Sequence, residues 1–468
     1  MFDVVYVISH GFSSRMVTQT NLLVNIVEKG YRVGIITNGH DSDLKKYCDD
    51  NDIQIIEIEQ TLSFIQRQFL DIKRYILDDL DTNIALMEKH VWAIKYSNFG
   101  LITRLKYRLA YQIYKILKLF PSIRNLVKSK INILYYDRKS EELLKRINTR
   151  ILVSTYPINF LETSLLLAAN KLKILNFIHF LSWDNITSKG YIPAVADKFI
   201  SWGEVMEKEI IEYYNISKKN IYNCGVVHFD LHHAYKNTND YKLVIQDLGL
   251  DPLKPYIYYG MVAARFVPNE INLVRWLSEQ ISNNRYGNEI QLVIRPHPQN
   301  VSGYMKSDEY LGLLKGLTNS RVAIHWPAVN ESTLQWSMKN YDMHNISKLL
   351  NGCMFCINAG STLAVDALNC NKLTIVTGFD LPKCIDYWKS AARSLDFTHL
   401  KNFLKNDGVI LCTSLNQFDE VILNIISNKY SINLDSIIKL KNMYCTSNEG
   451  NSTEMVVGVL VDHLNMLD

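Results

Sequence analysis

No apolar stretch in the 468 residues reaches the roughly 18 uninterrupted positions that a membrane-spanning helix needs, which leaves a soluble or peripheral protein. The N-terminal run Met-Phe-Asp-Val-Val-Tyr-Val-Ile-Ser has an acid and no basic leader, so it reads as a first strand and not as an export signal. Net charge is small, +4 with 21% charged residues, and this argues against a nucleic-acid binder, whose domain is strongly basic. Cysteine is sparse: eight residues scattered between Cys48 and Cys445 lack the dense spacing of a secreted scaffold and fit reduced thiols in a cytoplasm. The CxxC of Cys353 and Cys356 enters an apolar strand with no second pair to complete a metal set, so core thiols are expected. There is no Walker A sequence, no GxGxxG after a strand, and no DxD-like motif after a strand, which speaks against an ATPase, a nicotinamide enzyme and a bound metal.

What is present is apolar material for two cores: 47% hydrophobic residues in a chain longer than one core usually organises. Residues 1–60 alternate strand and helix, with Val4 to Ser9, an amphipathic stretch from about Arg15 to Lys29, then Tyr31 to Thr37 and Ile53 to Ile58. From about 61 to 147 long helical periodicity takes over, a helical insertion, before strand-like runs resume at Ile151, Lys173 and Phe199. A polar, Pro-bounded linker over 237–254 leads to a second strand-helix series from Tyr256 to Thr377. The expected architecture is α/β: an N-terminal Rossmann-like domain (1–235), a second over 236–415, and C-terminal helices (416–468) packing back toward the first. In such parallel sheets ligands gather beyond the carboxyl ends of the strands.

Two strand ends carry the chemistry. Leu292-Val-Ile-Arg-Pro-His-Pro298 runs an apolar strand into Arg295 and His297 and stops it with prolines, which places a guanidinium and an imidazole where a phosphate would find donors. Phe355-Cys-Ile-Asn-Ala-Gly-Ser-Thr-Leu-Ala-Val-Asp-Ala367 gives a buried strand, a turn at Gly360, hydroxyls from Ser361 and Thr362 at a helix start, and Asp366 one turn on. That is a phosphate cradle with an acid in reach of a ribose hydroxyl, although a Ser N-cap on a core helix is the plainer reading of the segment alone. Arg265, after the first strand of this domain, adds a third cation.

With these motifs, Ser182-Trp-Asp-Asn-Ile-Thr-Ser-Lys-Gly190, Trp202-Gly-Glu204, Gly225, Phe229-Asp230, Pro268-Asn-Glu270 and Arg275-Trp276, the chain resembles bacterial surface-carbohydrate glycosyltransferases (capsule or O-antigen type) of the GT-B architecture. More loosely it is similar to CDP-glycerol glycerophosphotransferases and GT-B sialyl- and Kdo-transferases. The resemblance covers about residues 150–380 and implies a donor nucleotide-sugar, CMP-, CDP- or UDP-linked, on the second domain, gripped by His297, Ser361 and Thr362. It implies transfer to a hydroxyl of a glycan or lipid-linked acceptor on the first domain, with no cofactor and no metal. Asp184, and as its rival His10 in the first loop, are the candidates for the catalytic base; Arg15 and Lys189 are candidates for acceptor or phosphate contacts. Open alternatives are a CDP-polyol phosphotransferase, a UDP-sugar 2-epimerase and a non-catalytic binding module.

One local anomaly remains. Residues 89–136 hold ten Lys or Arg and no Asp or Glu, interleaved with Tyr107, Tyr111, Tyr114, Phe120, Tyr135 and Tyr136. This predicts a helical face for an anionic membrane surface, with the tyrosines at the headgroup boundary and the protein cytoplasmic and peripheral on the inner face of the membrane.

Overall fold

A computed structural model describes residues 1–303, 306–446 and 449–467. Seven strands form a first parallel sheet: β1 (Phe2–Ile8), β2 (Val33–Thr37), β3 (Gln54–Glu57), β4 (Thr149–Ser154), β5 (Leu175–His179), β6 (Lys198–Ser201) and β7 (Ile221–Asn223). Their order is β3-β2-β1-β4-β5-β6-β7, with Val4 opposite Ile151 and Tyr6 opposite Ile35. Six more form a second: β8 (Tyr256–Gly260), β9 (Gln291–Arg295), β10 (Val322–Ile324), β11 (Cys356–Asn358), β12 (Thr374–Thr377) and β13 (Val409–Cys412), ordered β10-β9-β8-β11-β12-β13. Every pairing is parallel. Helices cover both faces, so the central strands are apolar along their length, as in Val4 to Ile8 and Leu292 to Ile294. Strand order reverses between β1 and β4 and between β8 and β11, and each reversal opens a crevice at the strands' carboxyl ends.

Between β3 and β4 the chain is helical, from Phe64–Leu77 to Arg138–Ile147. Ser63 and Gln66 start this insertion with reciprocal side-chain caps. The C-terminal helix Ser452–Leu467 lies against the first sheet, where Val456, Val457, Leu460 and Leu464 join Val4, Leu22 and Ile151 in one core. Asp230 explains its anchorage, because its carboxylate caps the helix by accepting from Ser452 N (3.0 Å) and Thr453 N (2.8 Å).

Three local expectations change. The stretch from Arg15 to Lys29 is two helices, Gly11–Thr18 and Leu22–Glu28, because Gln19 between them turns its amide to the second domain, donating to Lys339 O (2.8 Å) and accepting from Met343 N (3.0 Å). The linker at 237–254 is not loose: helix Tyr241–Asp247 packs Val244 and Ile245 into the second core. And two of the tyrosines of 89–136 are core residues, the others half-buried. Tyr114 and Tyr135 are fully buried and Tyr111 stacks on His90 with centroids 4.3 Å apart.

Candidate functional site

The two domains face each other across a crevice, a cavity of about 160 Å³ lined by Arg15 and Phe12 from the first domain and by His297, Ser361, Thr362 and Asp366 from the second. The closure is built from a second-domain loop over Val329–Met338. Gly11 N donates to Gln335 O (3.0 Å), and a side chain at position 11 would sit 2.3 Å from Ser337 N, so only glycine permits this approach. Ser337 donates to Asp41, His40 N donates to Thr333 Oγ1 (2.6 Å), and Leu334 enters the first core.

His10 and His297 are built alike. Each follows a strand, β1 or β9, caps the next helix, and accepts through Nδ1 from the backbone N–H two residues on, Phe12 or Gln299, both at 3.1 Å. That bond puts the proton of the neutral ring on Nε2 and makes each imidazole a hydrogen-bond donor. Burial, then Lys189 and Arg15, lowers His10 to about 4; burial, then Arg295, Lys189 and Arg15, lowers His297 to about 3. Both rings are therefore neutral at physiological pH.

Arg15 lines the cavity with its Nε buried and without a hydrogen-bond partner, its guanidinium 5.1 Å from the Phe12 centroid. Burial lowers its pKa, with partial relief from Asp366 and Asp342. On the opposite wall Ser361 Oγ is also buried without a partner. The turn before it is set by Asn358, whose Oδ1 accepts from Gly360 N (2.8 Å) and Ser361 N (3.1 Å). Gly360 has φ +87 and a Cβ there would lie 2.7 Å from Leu400 Cδ1, so its glycine is required by the turn and its packing; approach of a ligand is not what demands it. Thr362 lines the same wall.

The remaining candidate residues have partners that their sequence positions do not announce. The Arg295 fork is spent on Asp342, at 3.0 and 2.8 Å, both groups buried, so it braces helix Asp342–Gly352 and is not free to chelate phosphate. Arg265 lies outside this cavity; it pairs with Glu88 of the insertion at 3.5 Å. Asp366 bonds His232 Nε2 at 3.1 Å while still lining the cavity. Lys189 is paired with Asp184 at 2.9 Å, which sits as well on Ser188 Oγ (2.6 Å). Burial raises the Asp184 carboxyl, but Lys189, His399 and the serine donors outweigh it and hold the group well below the carboxylate range, which makes it a weak proton acceptor.

The segment around it docks the domains: the Trp183 ring lies 5.0 Å from His399, 5.2 Å from Phe403 and 5.6 Å from Tyr444. Glu162 had no sequence signal. It accepts from Ser154 Oγ (2.6 Å), Thr155 N (2.7 Å) and Tyr156 N (2.6 Å), and also from Ser9 Oγ, tying together the loops after β1 and β4. Phe12, His228 and Met343 also line the cavity, and they too carry no sequence motif for a ligand. Among the described residues no cluster of three or more His, Cys, Asp or Glu is placed to hold a metal.

Buried neutral imidazoles make a pH prediction. Besides His10 and His297, burial lowers His179 and His399 to about 4 and drives His228 and His325 well down. Between pH 6.5 and 4 the unfolded chain binds protons that the fold refuses, so stability is held above 6.5 and lost as pH falls. Glu209 and Glu270, raised to about 8 by burial, and Asp78 and Glu162, also raised by burial, act the other way, but four carboxyls are outnumbered by the imidazoles. The thermal midpoint should drop by several degrees from pH 6.5 to 4.5, measured by calorimetry; a rise would show that the imidazoles charge inside the fold.

No protein-family model and no curated protein matches the chain. Solved structures do. The S. aureus MnaA structure with UDP is 11% identical with a TM-score of 0.56, covering 99% of this chain and 97% of its own. A UDP-GlcNAc 2-epimerase from Neisseria meningitidis bound to UDP-GlcNAc is 10% identical with a TM-score of 0.53, covering 98% and 100%. A glycosyltransferase from Rickettsia africae is 12% identical with a TM-score of 0.51, covering 98% of both chains. At these identities the likeness is one of fold, and the fold is the two-domain GT-B architecture expected from the sequence.

Proposed function

We propose that the protein is a glycosyltransferase that moves a sugar from a nucleotide-activated donor to a hydroxyl of a surface polysaccharide or lipid-linked glycan. One observation carries this reading: Arg15 Nε and Ser361 Oγ, both buried without a partner, line a single interdomain cavity with the His297 imidazole. A buried N–H of a cation and a buried hydroxyl left unpaired are costly, and the oxygens of a donor phosphate satisfy both. Charge on the departing nucleotide then meets Arg15, the Nε2–H of His297 and the hydroxyls of Ser361 and Thr362, electrostatic stabilisation that acts where charge develops. In this assignment Asp366 faces the ribose, with His232 holding its carboxylate. At about 160 Å³ the closed cavity is smaller than ordinary ligand pockets of about 300–1,000 Å³, so donor entry requires the loop around Gln335 to leave Gly11 and the domains to part.

His10, fixed as a donor, packs against the rings of Phe12, Tyr156 and Trp336 outside the cavity lining, and a hydrogen-bonding part toward the transferring group falls to it once the domains part. Asp184 is the remaining candidate base, and its tie to Lys189 gives it in addition the task of positioning that lysine. The neighbours that hold UDP or UDP-GlcNAc favour a second reading, a UDP-sugar 2-epimerase, which needs no acceptor. Purified protein is incubated with UDP-, CDP- and CMP-linked donors with and without glycan acceptors, and products are analysed. Acceptor-dependent release of the nucleotide with a new glycosidic bond is the expected result. Donor interconversion without acceptor would replace the transferase by an epimerase, and a phosphodiester product by a CDP-polyol phosphotransferase.

A further inference from the structure

A second cavity, of about 490 Å³, lies between the helical insertion and the second domain, and none of the roles above uses it. Its lining is basic and aromatic: Arg74, Lys89 and Arg265 with Trp92, Phe99 and Tyr107. The three cations come from separate elements, helix Phe64–Leu77, helix Ile84–Val91 and the loop after β8, so no local sequence pattern announces them. Arg265 lies 5.9 Å from the Trp92 centroid and 5.3 Å from that of Phe266, and its Nε is buried without a partner. Lys89 donates one bond to Ser188 O (2.8 Å), next to Lys189, whose charge is felt at His10 and His297.

Carboxylates do not balance this charge. Glu88 meets Arg265 alone, at 3.5 Å. Asp78 accepts from Tyr191 N (2.6 Å) and is pushed up by burial, against the pull of Lys89, Arg74 and Lys73. Burial, then Arg74 and Lys189, lowers Lys89 to about 7, with Asp78 opposing and Arg265 adding to the effect. Cations crowded at this spacing repel one another unless an anion joins them. Guanidinium groups suit phosphate oxygens, and the aromatic rings offer an apolar wall to whatever carries the phosphate.

We propose that this cavity binds the phosphate or diphosphate group of the acceptor, holding its hydroxyl-bearing end toward the crevice across Ser188 and Lys189. The assignment rests on the transferase reading of the crevice. Three probes are titrated into the full-length protein by calorimetry: geranyl diphosphate, inorganic pyrophosphate and glucose 1-phosphate. UDP is titrated separately as a reporter of the crevice. At least one phosphate probe is expected to bind, and Arg74→Gln and Arg265→Gln are each expected to weaken it 10-fold or more while UDP affinity holds. Arg74→Lys, which keeps charge, recovers part of the loss, and unchanged thermal midpoints show that the variants fold. Preference for geranyl diphosphate over pyrophosphate identifies a lipid-linked source, and preference for glucose 1-phosphate a soluble sugar phosphate; both support the site. Absence of binding by all three probes, or binding unaltered in both variants, overturns it. UDP binding without phosphate binding removes this inference alone, whereas phosphate binding at the cavity without UDP binding removes the transferase reading and leaves an anion site.

Discussion

Replacing Arg15 by methionine should lower transfer at least 100-fold while leaving the thermal midpoint unchanged or raised. The two effects separate because of how Arg15 is held. It has a buried Nε without a partner, no carboxylate bonded to it, and burial that lowers its pKa, so within the protein alone it is a cation kept at a cost. Methionine has a similar reach and packs against Phe12 without that cost. With donor bound the sign reverses. A guanidinium on phosphate oxygens makes charge-assisted bonds of about 1.5–3 kcal/mol each, and removing one preorganised donor from a developing anion typically costs about 100- to 1,000-fold in rate. Arg15→Lys tests geometry against charge: a single ammonium keeps the sign but loses the fork, so it should recover only part of the activity. Kinetics with the donor identified by product analysis, beside calorimetric unfolding of the same variants, checks both halves. Full activity in Arg15→Met would remove the phosphate site from the crevice, and a large loss of stability would recast Arg15 as a structural residue.

How far the sequence reaches is clearest at the strand ends. β1, β2, β4, β8 and β9 are apolar runs punctuated by Gly, Pro or polar residues, and parallel strands covered on both faces have to read that way. β7 and β13, edge strands of three and four residues, both escape the sequence reading. The convergence of His297, Ser361 and Thr362 on one cavity is legible because prolines and a glycine turn fix those residues at strand ends within a few positions. What each charged group pairs with is not. Arg295 looks like a phosphate ligand until Asp342, 47 residues on, closes its fork, and nothing near Arg265 in sequence announces Glu88. The latch of Gln335 on Gly11 joins positions over 300 apart. Such long-range partners are set by packing of the two domains, which local propensity does not encode.

The helical insertion shows the same lesson in the prediction with the largest surface effect, its association with membranes. Composition pointed to lysines, arginines and tyrosines as the contacts. The structure buries Tyr114 and Tyr135, leaves Tyr107, Tyr111 and Tyr136 half-buried, and pairs Lys106 with Asp71 and Lys118 with Asp81, both at 2.7 Å, so two of the ten cations are answered within the insertion. Left outside is an aliphatic stripe on helix Leu101–Leu119 and the turn after it: Ile102, Leu105, Leu109, Ile113, Ile116 and Phe120, each between 49% and 86% exposed. Their three- and four-residue spacing puts them on one face, with Arg108, Lys115 and Lys130 exposed nearby and no acid between residues 89 and 136. Apolar faces of this extent are rare on free surfaces, and the basic surroundings select an anionic lipid surface as the occupant. No described helix is long and apolar enough to cross a membrane, so the stripe would lie in the interface. Fully burying one such side chain is worth about 1.5–3 kcal/mol, and each engaged cation about 1 kcal/mol. Replacing Ile102, Leu109 and Ile116 together by aspartate should therefore weaken partitioning onto vesicles containing phosphatidylserine at least 100-fold in sedimentation, while raising salt alone should remove only the electrostatic part, because the apolar contribution is insensitive to screening. A triple variant that still sediments with the vesicles, or a wild-type protein that stays in the supernatant at low salt and forms a dimer which the variant loses, would assign the stripe to a second copy of the chain.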